Sequence, residues 1–444
     1  MEAKPAEDMF FSVRTVIKYG SIAVLILSLA FLPALFSPLY LNVLNTLLLI
    51  AILTLIIRSF IGIPLSFQKT KPPDYNGEWP GVSIIIPAYN EGKVLPDTIE
   101  SLQELDYPRD KLQVIISYET SSSDKTAEIC EQAARENDFI TAVASDEPNG
   151  SAAAFNDALE HADHDILTGI DADHQFKPDA IKRAVKWFEK DDDIWCVKGR
   201  CYGRNPDESL LALNATVERH IAEKLDIYTR DLIDGYTFYG GSAFFFRKEV
   251  IDEIGELDEE ILVEDIDMST KIHKHGKDIQ IDPYVITYEE NPATLRSWWA
   301  QRKRWARGWM QVTERYLFGL FNDSNMTWRK KADAAYTLTY AIVPTFLVLL
   351  IPLFVLAMMG HGASTLLPFG SGLWTLVGVS PAILAAAIFL QDFRDGETHH
   401  WQEYLAPITL WFYLMLQSTV YLTAFIEEFI LQKPSVFVTT ARTG

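Results

Sequence analysis

The stretch "VSIIIPAYNEGKVLPDTIESLQEL", residues 82–105, begins an alternation of short apolar runs with longer amphipathic ones. The run "VSIIIP" is rich in β-branched residues and predicts a buried strand, and the polar stretch from Glu91 onward predicts a helix. The same patterns recur, with strands predicted at 112–118, at "ITAVAS" and at 165–171, and with helices predicted from Ser121 and from Ser151. Such alternation is typical of an α/β domain whose parallel sheet is covered by helices on both faces.

Polar side chains follow three of the predicted strands at their carboxyl ends. They belong to "PAYNE" (87–91), "YETSSSD" (118–124) and "DADH" (171–174). In sheets of this kind, ligands bind in the crevice outside the carboxyl ends of the strands. We therefore expect the ligand site of the domain to lie among these three segments.

Apolar segments of membrane-spanning length lie on both sides of this domain in the 444-residue chain. About 20 apolar residues suffice to cross a bilayer, and five stretches qualify: 16–36, 40–62, 334–358, 370–391 and 405–431. The predicted organisation follows in three parts: two N-terminal transmembrane helices in 1–67, a globular domain in 68–330 with an interfacial helix near 294–320, and C-terminal transmembrane helices with a tail in 331–444.

Basic residues flank these apolar segments unevenly. The loops near 37–42 and 359–371 contain no Lys or Arg, whereas the other ends carry Lys4, Arg14, Lys18, Arg58, Lys69 and Lys71. Because cytoplasmic loops are the ones enriched in Lys and Arg, we predict a multi-pass protein of the cell membrane whose 68–330 domain is cytoplasmic. Lys433 favours the cytoplasmic side for the tail as well, so 405–431 either spans the bilayer or lies in its interface.

The charge balance and the cysteines exclude some classes of partner and site. The formal net charge is -21 at pH 7, and an acidic surface repels nucleic acid, so no nucleic-acid partner is expected. Cys130, Cys196 and Cys201 have neither the paired spacing of a metal site nor that of a disulfide framework.

Asp171 and Asp173 in "GIDADH" stand one residue apart on the turn that leaves a predicted buried strand. Two such carboxylates could hold a divalent cation and, through it, a diphosphate group. Mg²⁺ and Mn²⁺ prefer oxygen ligands of this kind, so one of the two is the expected cofactor. The alternative is a pair of solvated turn aspartates. His174 beside them is either a further metal ligand or an ordinary turn histidine.

Glu264 and Asp265 in "VEDIDMS" form a second acidic pair. A carboxylate that is close to another carboxylate and partly dehydrated has a raised pKa, which suits a general base that takes a proton from a hydroxyl group. The alternative is a helix cap, because acidic side chains at the first turn of a helix interact favourably with the helix dipole.

The stretch "WWAQRKRWARGWMQ", residues 298–311, combines four tryptophans with four cations. Gln301, Arg304 and Trp305 are spaced so that a helix places them on one face. This face offers a guanidinium group for a diphosphate and an indole ring for a sugar. The alternative is a juxtamembrane helix whose cations bind membrane lipids and whose tryptophans, such as Trp298, anchor in the interface.

In this order and approximate spacing, "PAYNE", "DADH", "VEDID" and "QRKRW" resemble the motifs of processive family-2 glycosyltransferases, the membrane synthases of cellulose, chitin, hyaluronan and poly-N-acetylglucosamine. The resemblance extends from about residue 80 to the C-terminus and includes "GYTFYGGSAFFFRKEVIDEIGELDEE". It implies a nucleotide-diphosphosugar transferase fold (GT-A, Rossmann-like) in the cytoplasmic domain, fused to transmembrane α-helices. The tail "KPSVFVTTAR" is similar to the family's gating segment.

The resemblance also implies roles for individual residues. Asp171 and Asp173 would bind metal and Asp171 the donor as well, with Glu264, Asp265 and Arg304 acting in catalysis. The remaining implied contacts are with the donor for Pro87, Tyr89, Glu91 and Glu119, and with the acceptor for Gly241, Gln301 and Trp305. The implied donor is a nucleotide sugar, with a UDP-sugar expected ahead of a GDP-sugar.

The implied activity is that of an inverting glycosyltransferase that extends a polysaccharide and passes it into a channel of C-terminal helices. Trp298, Trp299 and Trp309 would stack on sugars near the channel or anchor in the interface. Two alternatives remain open: a non-processive transferase that adds one sugar to a membrane lipid carrier, and an inactive membrane scaffold or transporter.

Overall fold

The computed structural model describes residues 13–145 and 150–435, and within them eight strands form one sheet. The strands are β1 (Val82–Ala88), β2 (Leu112–Glu119), β3 (Ile140–Ser145), β4 (Ile166–Gly169), β5 (Gln175–Phe176), β6 (Ile194–Gly203), β7 (Phe244–Arg247) and β8 (Asp278–Glu289). Their order across the sheet is β3-β2-β1-β4-β7-β6-β8-β5.

Helices cover the sheet and make up the apolar segments on both sides of it in the sequence. They are α1 (Val13–Phe31), α2 (Pro38–Leu65), α3 (Leu95–Gln103), α4 (Thr126–Glu136), α5 (Ser151–Leu159), α6 (Ala180–Phe188), α7 (Leu210–Ile221), α8 (Tyr228–Leu232), α9 (Glu249–Ile254), α10 (Glu264–Lys274), α11 (Leu295–Tyr316), α12 (Trp328–Thr339), α13 (Val343–Leu347), α14 (Leu350–Met358), α15 (Gly370–Asp395) and α16 (Ala406–Phe425). Two π-helical turns, Ala222–Ile227 and Ile426–Ile430, join α7 to α8 and extend α16, and short 3₁₀ turns occupy Leu32–Leu35, Arg109–Lys111, Leu320–Asn322 and Trp401–Leu405.

The first four predicted strands pair as expected, because β1 is parallel to both β2 and β4, and β2 is parallel to β3. The fully parallel sheet expected from the alternation is wrong for the second half. There β7 runs antiparallel between β4 and β6, and β5 runs antiparallel to β8. The apolar run of β7 is buried like that of a central parallel strand, so its pattern carries no information about strand direction.

The two-residue period of the strands divides the core into two layers. Ile84 and Ile86 of β1 pack in one cluster with α3 and α6, while Ile85 packs in another with Ala152 and Phe155 of α5. Alternating side chains point to opposite faces of a strand, which is why one apolar run supports both layers. The carboxyl ends of β1, β2 and β4 are left at one edge, as the sequence predicted.

Among the described residues, three helices are long and apolar enough to cross a membrane: Pro38–Leu65, Gly370–Asp395 and Trp401–Ile430. The pair Trp328–Thr339 and Val343–Met358 qualifies only as one span bent by 40°. In the segment predicted at 16–36, the apolar helix Lys18–Ala34 is shorter than these. The number of spans and the domain boundaries at 67 and 330 stay predictions.

Both ends of the last apolar helix contact other parts of the chain through charged groups. At its start, Glu403 lies 3.2 Å from His220 of α7, and at its end Glu427 lies 3.1 Å from Lys303 of α11. Both alternatives for 405–431, a span and a helix in the interface, stay predictions. The tail that resembles a gating segment lies, from residue 436 onward, outside the described residues.

Candidate active site

A cavity of about 390 Å³ lies at the carboxyl ends of β1, β2 and β4. Twelve residues are given catalytic, donor, acceptor or metal roles by the resemblance, and eleven of them line the cavity: Pro87, Tyr89, Glu91, Glu119, Asp171, Gly241, Glu264, Asp265, Gln301, Arg304 and Trp305. The twelfth, Asp173, is fully buried beside Asp171. Segments that are more than 200 residues apart in the sequence therefore meet around one space.

The two loops that follow β1 and β2 are joined by hydrogen bonds. The amide N–H of Ser123 donates to Asn90 Oδ1 at 2.7 Å, and the N–H of Gly92 donates to Asp124 Oδ2 at 2.9 Å. Asn90 has a φ of 55°, a left-handed conformation that asparagine tolerates better than most residues. These contacts hold "PAYNE" and "YETSSSD" as one rim of the cavity.

Glu119 lies at the end of β2 and is 7% exposed. Its Oε2 accepts a hydrogen bond from Ser121 Oγ at 3.2 Å. Burial raises the pKa of Glu119, although the hydrogen bond from Ser121 works against this rise. Because Glu119 lines the cavity, its carboxyl group can contact a ligand at this rim.

Asp171 and Asp173 occupy different depths. The Asp171 side chain is half-exposed, whereas Asp173 is buried and its Oδ2 accepts from the N–H of Glu290 at 3.0 Å. His174 is also buried, with Nδ1 at 3.2 Å from Asp173 Oδ1 and Nε2 at 3.2 Å from Glu289 Oε2. Burial lowers the pKa of His174, but the neighbouring carboxylates outweigh it and hold that pKa well above its ordinary value. His174 is thus a buried histidine of this turn that is paired with acidic groups, and a role as a further metal ligand stays a prediction.

Asp171 and Asp173, with His174 beside them, have the composition of a divalent cation site. One ligand atom from each of Asp171, Asp173 and His174 lies within 4.8 Å of the others. Carboxylate oxygens suit Mg²⁺ and Mn²⁺, and the half-exposed carboxylate faces the cavity where a diphosphate would enter. The residues present therefore fit the expected cofactor.

Glu264 and Asp265 form the first turn of α10, opposite the acidic pair after β4. Asp265 Oδ2 accepts from the N–H of Gly241 at 2.6 Å, and its Oδ1 accepts from the N–H of Ile266 at 2.8 Å. Gly241 has a φ of 69°, which glycine adopts without strain. The glycine thus turns its N–H toward the carboxylate and fixes its orientation.

The proton affinity of this pair is raised. Burial, together with the charge of Asp265, raises the pKa of Glu264 to about 7, and the guanidinium of Arg304 opposes this effect. Burial also raises the pKa of Asp265, against the two backbone hydrogen bonds that lower it. A pair of acidic side chains that only capped the helix would not need to be buried. The raised pKa values of Glu264 and Asp265 suit proton transfer as well as a helix cap.

Helix α11 places Gln301, Arg304 and Trp305 on the cavity side, as their spacing predicted. Arg304 Nη1 donates to the carbonyl of Leu262 at 3.2 Å, which ties α11 to the segment just before Glu264. A Cβ added at Gly308 would lie within 2.8 Å of the side chain of Val263, so the glycine allows this close approach. The two catalytic candidates of α10 and the face of α11 are therefore built as one unit.

The tryptophans of α11 differ in their surroundings. Trp298 is fully buried, and its Nε1 donates to Tyr413 Oη at 3.1 Å. Neither sugar stacking nor interfacial anchoring is correct for this residue, because the helix face it occupies packs against α16. Trp309 lines the cavity and makes an edge contact with Phe238, with ring centroids 5.2 Å apart.

Several residues that line the cavity were missed in the sequence. They come from β6, from α7 and its π-helical turn, and from α16: Lys198, Glu218, Arg219, Glu223, Asp226, Gln417 and Tyr421. From α7 into the π-helical turn, charges recur at four-residue spacing, as in the pair Arg219 and Glu223. This pattern was available in the sequence, but it is more typical of a solvated helix face.

Known proteins similar to this chain include two curated bacterial relatives. A probable glycosyltransferase, YdaM, of Bacillus subtilis (strain 168) is 30% identical over 262 residues, which are 58% of this chain and 62% of that protein. The poly-beta-1,6-N-acetyl-D-glucosamine synthase of Staphylococcus aureus (strain COL) is 29% identical over 255 residues, which are 57% of this chain and 61% of that protein. The matches thus span about three fifths of each relative's length.

One solved structure supports the fold. The mannosyltransferase PcManGT from Pyrobaculum calidifontis, in complex with GDP-Man and Mn2+, superposes with a TM-score of 0.53 at 21% sequence identity, over 85% of this chain and 99% of that one. The sheet and cavity described above are those of a nucleotide-diphosphosugar transferase fold. The family model described as glycosyltransferase like family 2 matches residues 80–308, more than half of the chain, and the chain belongs to that family.

Proposed function

We propose that this chain is an inverting, metal-dependent glycosyltransferase that moves a sugar from a nucleotide-diphosphosugar to a growing polysaccharide at the cytoplasmic face of the cell membrane. The observation that carries the proposal is the convergence of Asp171, Asp265 and Arg304 around one cavity. Family membership and the similarity to a polysaccharide synthase support it.

In the proposed reaction, Asp265 takes the proton of the acceptor hydroxyl while the oxygen attacks the sugar carbon. The N–H groups of Gly241 and Ile266 orient its carboxylate, and the first turn of α10 stabilises the negative charge. Because the attack occurs opposite the leaving nucleoside diphosphate, one displacement converts an α-configured donor into a β-linked product. Positioning of this kind lowers the barrier by holding the reacting atoms together.

On the leaving-group side, the guanidinium of Arg304 would pair with the diphosphate as its charge develops. A charged, forked donor is well suited to phosphate oxygens and stabilises the transition state more than the ground state. Gln301 and Trp305, on the same face of α11, would contact the acceptor sugar through an amide and an indole ring. Asp171 and Asp173 would hold Mg²⁺ or Mn²⁺, which would neutralise charge on the diphosphate, and His174 would orient the Asp173 carboxylate.

At the donor rim, Pro87, Tyr89, Glu91 and Glu119 would contact the nucleoside. The carboxyl of Glu119 can pair with a ring N–H of a pyrimidine or a purine, so it does not by itself select the base. We propose a UDP-sugar ahead of a GDP-sugar, since the similar S. aureus protein is named as an N-acetylglucosamine polymer synthase.

The proposal is tested by supplying a panel of radiolabelled nucleotide sugars to the purified chain in detergent with Mg²⁺ or Mn²⁺, and sizing the product. A polymer supports the proposal. A single-sugar lipid would instead establish the non-processive alternative. If the folded protein neither hydrolyses nor transfers sugar from any donor in the panel, an inactive scaffold or transporter is favoured.

A first prediction concerns pH. The rate of transfer should fall on the acid side as Asp265 takes up a proton, and burial, which raises the pKa of this carboxyl, places the fall above the ordinary range of an aspartate. A raised pKa keeps a carboxyl protonated to higher pH, so the base form exists only above it. Glu264→Gln removes the neighbouring charge and should move the fall to lower pH, because the pKa of Asp265 then drops. The measurement is kcat/KM between about pH 5 and 9.

The exposed Glu260, on the loop before α10, provides the matched control for this experiment. Glu260→Gln should leave unchanged the acid limb of the profile, that is, the pH at which kcat/KM falls on the acid side. An acid limb at the same pH in Glu264→Gln and wild type would contradict the coupling of the two carboxylates.

A second prediction concerns the cation. Chelation with EDTA should abolish turnover, and Mn²⁺ or Mg²⁺ should restore it. Asp171→Asn should raise the cation concentration for half-maximal turnover by about tenfold or more, since it removes one charged ligand. Asp179→Asn, an exposed change at the start of α6, is the control. Full turnover in chelated protein would show that the reaction needs no divalent cation.

A further inference from the structure

Four buried or partly buried charges connect a candidate membrane span to the cavity. Asp226 lies in the π-helical turn after α7 and accepts hydrogen bonds from two arginines. Arg58 Nη1 of α2 donates to Oδ1 at 3.3 Å, and Arg230 Nη2 of α8 donates to Oδ2 at 2.6 Å. Arg58 Nη2 also lies 2.6 Å from Oδ1 of Asp333 on α12. Two arginines and two aspartates thus form a balanced cluster, defined here as the Arg58 cluster.

One member of the Arg58 cluster reaches the cavity. Asp226 lines it, and its side chain is 24% exposed. Burial raises the pKa of Asp226, but Arg230 and Arg58 outweigh burial and hold that pKa below its ordinary value, so the group is a carboxylate. Each carboxylate oxygen accepts two hydrogen bonds, which leaves capacity toward the cavity after the two arginines have donated.

The surroundings of Asp226 indicate which ligand it meets. The ring of Phe238 lies under the guanidinium of Arg230 at 4.9 Å and in edge contact with Trp309, and both rings line the cavity. A carboxylate repels a diphosphate but accepts hydrogen bonds from hydroxyl groups, and aromatic rings pack against the apolar face of a sugar. This side of the cavity is therefore suited to a hydroxyl-rich, uncharged ligand.

We propose, on the basis of the proposed transferase function, that Asp226 binds a hydroxyl group of the acceptor sugar, and that Arg58 of α2 is its positioning residue. The π-helical turn Ala222–Ile227 supports this placement, because π turns inside α-helices frequently occur at functional sites. Arg58 belongs to a helix that is long enough to span a membrane. The position of that helix therefore sets the orientation of the Asp226 carboxylate.

The test separates acceptor binding from donor chemistry. The donor is the nucleotide sugar that wild type turns over fastest, and the acceptor probe is the free monosaccharide of that donor. Asp226→Asn should raise the KM for this acceptor by about tenfold or more, because a neutral amide with one acceptor oxygen replaces the carboxylate. Transfer to water and nucleotide binding should stay within about twofold of wild type, since Asp265 and the rim after β1 and β2 are untouched.

Arg58→Lys keeps the charge but not the forked geometry, and should raise the same KM by a smaller factor than Asp226→Asn. Asp234→Asn is the matched control, because Asp234 lies just after α8, is exposed and pairs at 3.6 Å with Lys330 outside the cavity. It should leave both reactions unchanged.

Equal losses of water transfer and acceptor transfer in Asp226→Asn would show a merely structural role and overturn the proposal, as would an unchanged acceptor KM. If Asp226→Asn loses nucleotide binding, Asp226→Glu decides, because it keeps the carboxylate. An acceptor KM near that of wild type in Asp226→Glu supports the proposal. If Asp226→Glu binds nucleotide normally but its acceptor KM is raised as much as in a folded Arg58→Lys variant, the proposal is contradicted. Absence of all turnover in wild type would instead refute the proposed function.

Discussion

Asp265→Asn should lower the rate of sugar transfer by at least about 100-fold, the lower range of what a general base contributes. The amide keeps the size of the side chain and can still accept the N–H of Gly241, so the first turn of α10 should keep its structure. It cannot take the acceptor proton. The nucleotide site at the ends of β1 and β2 is unchanged, and nucleotide affinity should stay within about threefold of wild type.

The measurement is single-turnover transfer from a radiolabelled donor, paired with equilibrium binding of the nucleotide. Asp252→Asn is the control, since Asp252 is an exposed acid on α9 outside the cavity. Undiminished transfer in folded Asp265→Asn protein would refute the assignment of the base. Loss of nucleotide binding to the same extent as transfer would indicate a structural role.

Arg304→Gln should lower kcat by about 100-fold or more, because one preorganised donor on a leaving group is worth this much in water-excluded sites. The kcat of Arg304→Lys should lie between those of Arg304→Gln and wild type, since the ammonium group keeps the charge but loses the paired donors of the guanidinium. The loss of the cation should also raise the pKa of Asp265 further, because Arg304 opposes that rise in the wild type. The acid limb of the rate should therefore move to higher pH in Arg304→Gln.

Steady-state kinetics of these variants over pH provide the measurement. Arg329→Gln, an exposed substitution on α12, is the control. A kcat for Arg304→Gln within a few fold of wild type would contradict the proposed contact with the leaving diphosphate. A limb that moves to lower pH would contradict the electrostatic link between Arg304 and the acidic pair.

The site could be predicted largely from local sequence, because its parts are short and sit at element ends. The alternation of strands and helices predicts parallel strands, whose carboxyl ends bring "PAYNE" and "DADH" to one edge of the sheet. The helical spacing of Gln301, Arg304 and Trp305 gives them a common face. What local patterns do not contain is the partner across space. The direction of β7 and the burial of Trp298 against Tyr413 depend on contacts between distant segments.

Arg58 illustrates the same limit. In the sequence it is one of several basic residues that indicate the cytoplasmic end of a span, whereas the structure pairs it with Asp226 and Asp333, which are 168 and 275 residues further along. Hydropathy likewise treats 405–431 as one apolar segment, although Glu427 near its end is buried and paired with Lys303. Apolar composition alone does not distinguish a span from a helix packed on a domain at the membrane surface.

We propose that Asp171, Asp265 and Arg304 serve one single-displacement reaction. This proposal is tested most directly by the anomeric configuration of the product, determined by proton NMR after the purified chain is supplied with an α-configured nucleotide-diphosphosugar and Mn²⁺. A single displacement gives a β-linked sugar and one nucleoside diphosphate released for each sugar transferred. An α-linked product would contradict a single displacement with Asp265 as base.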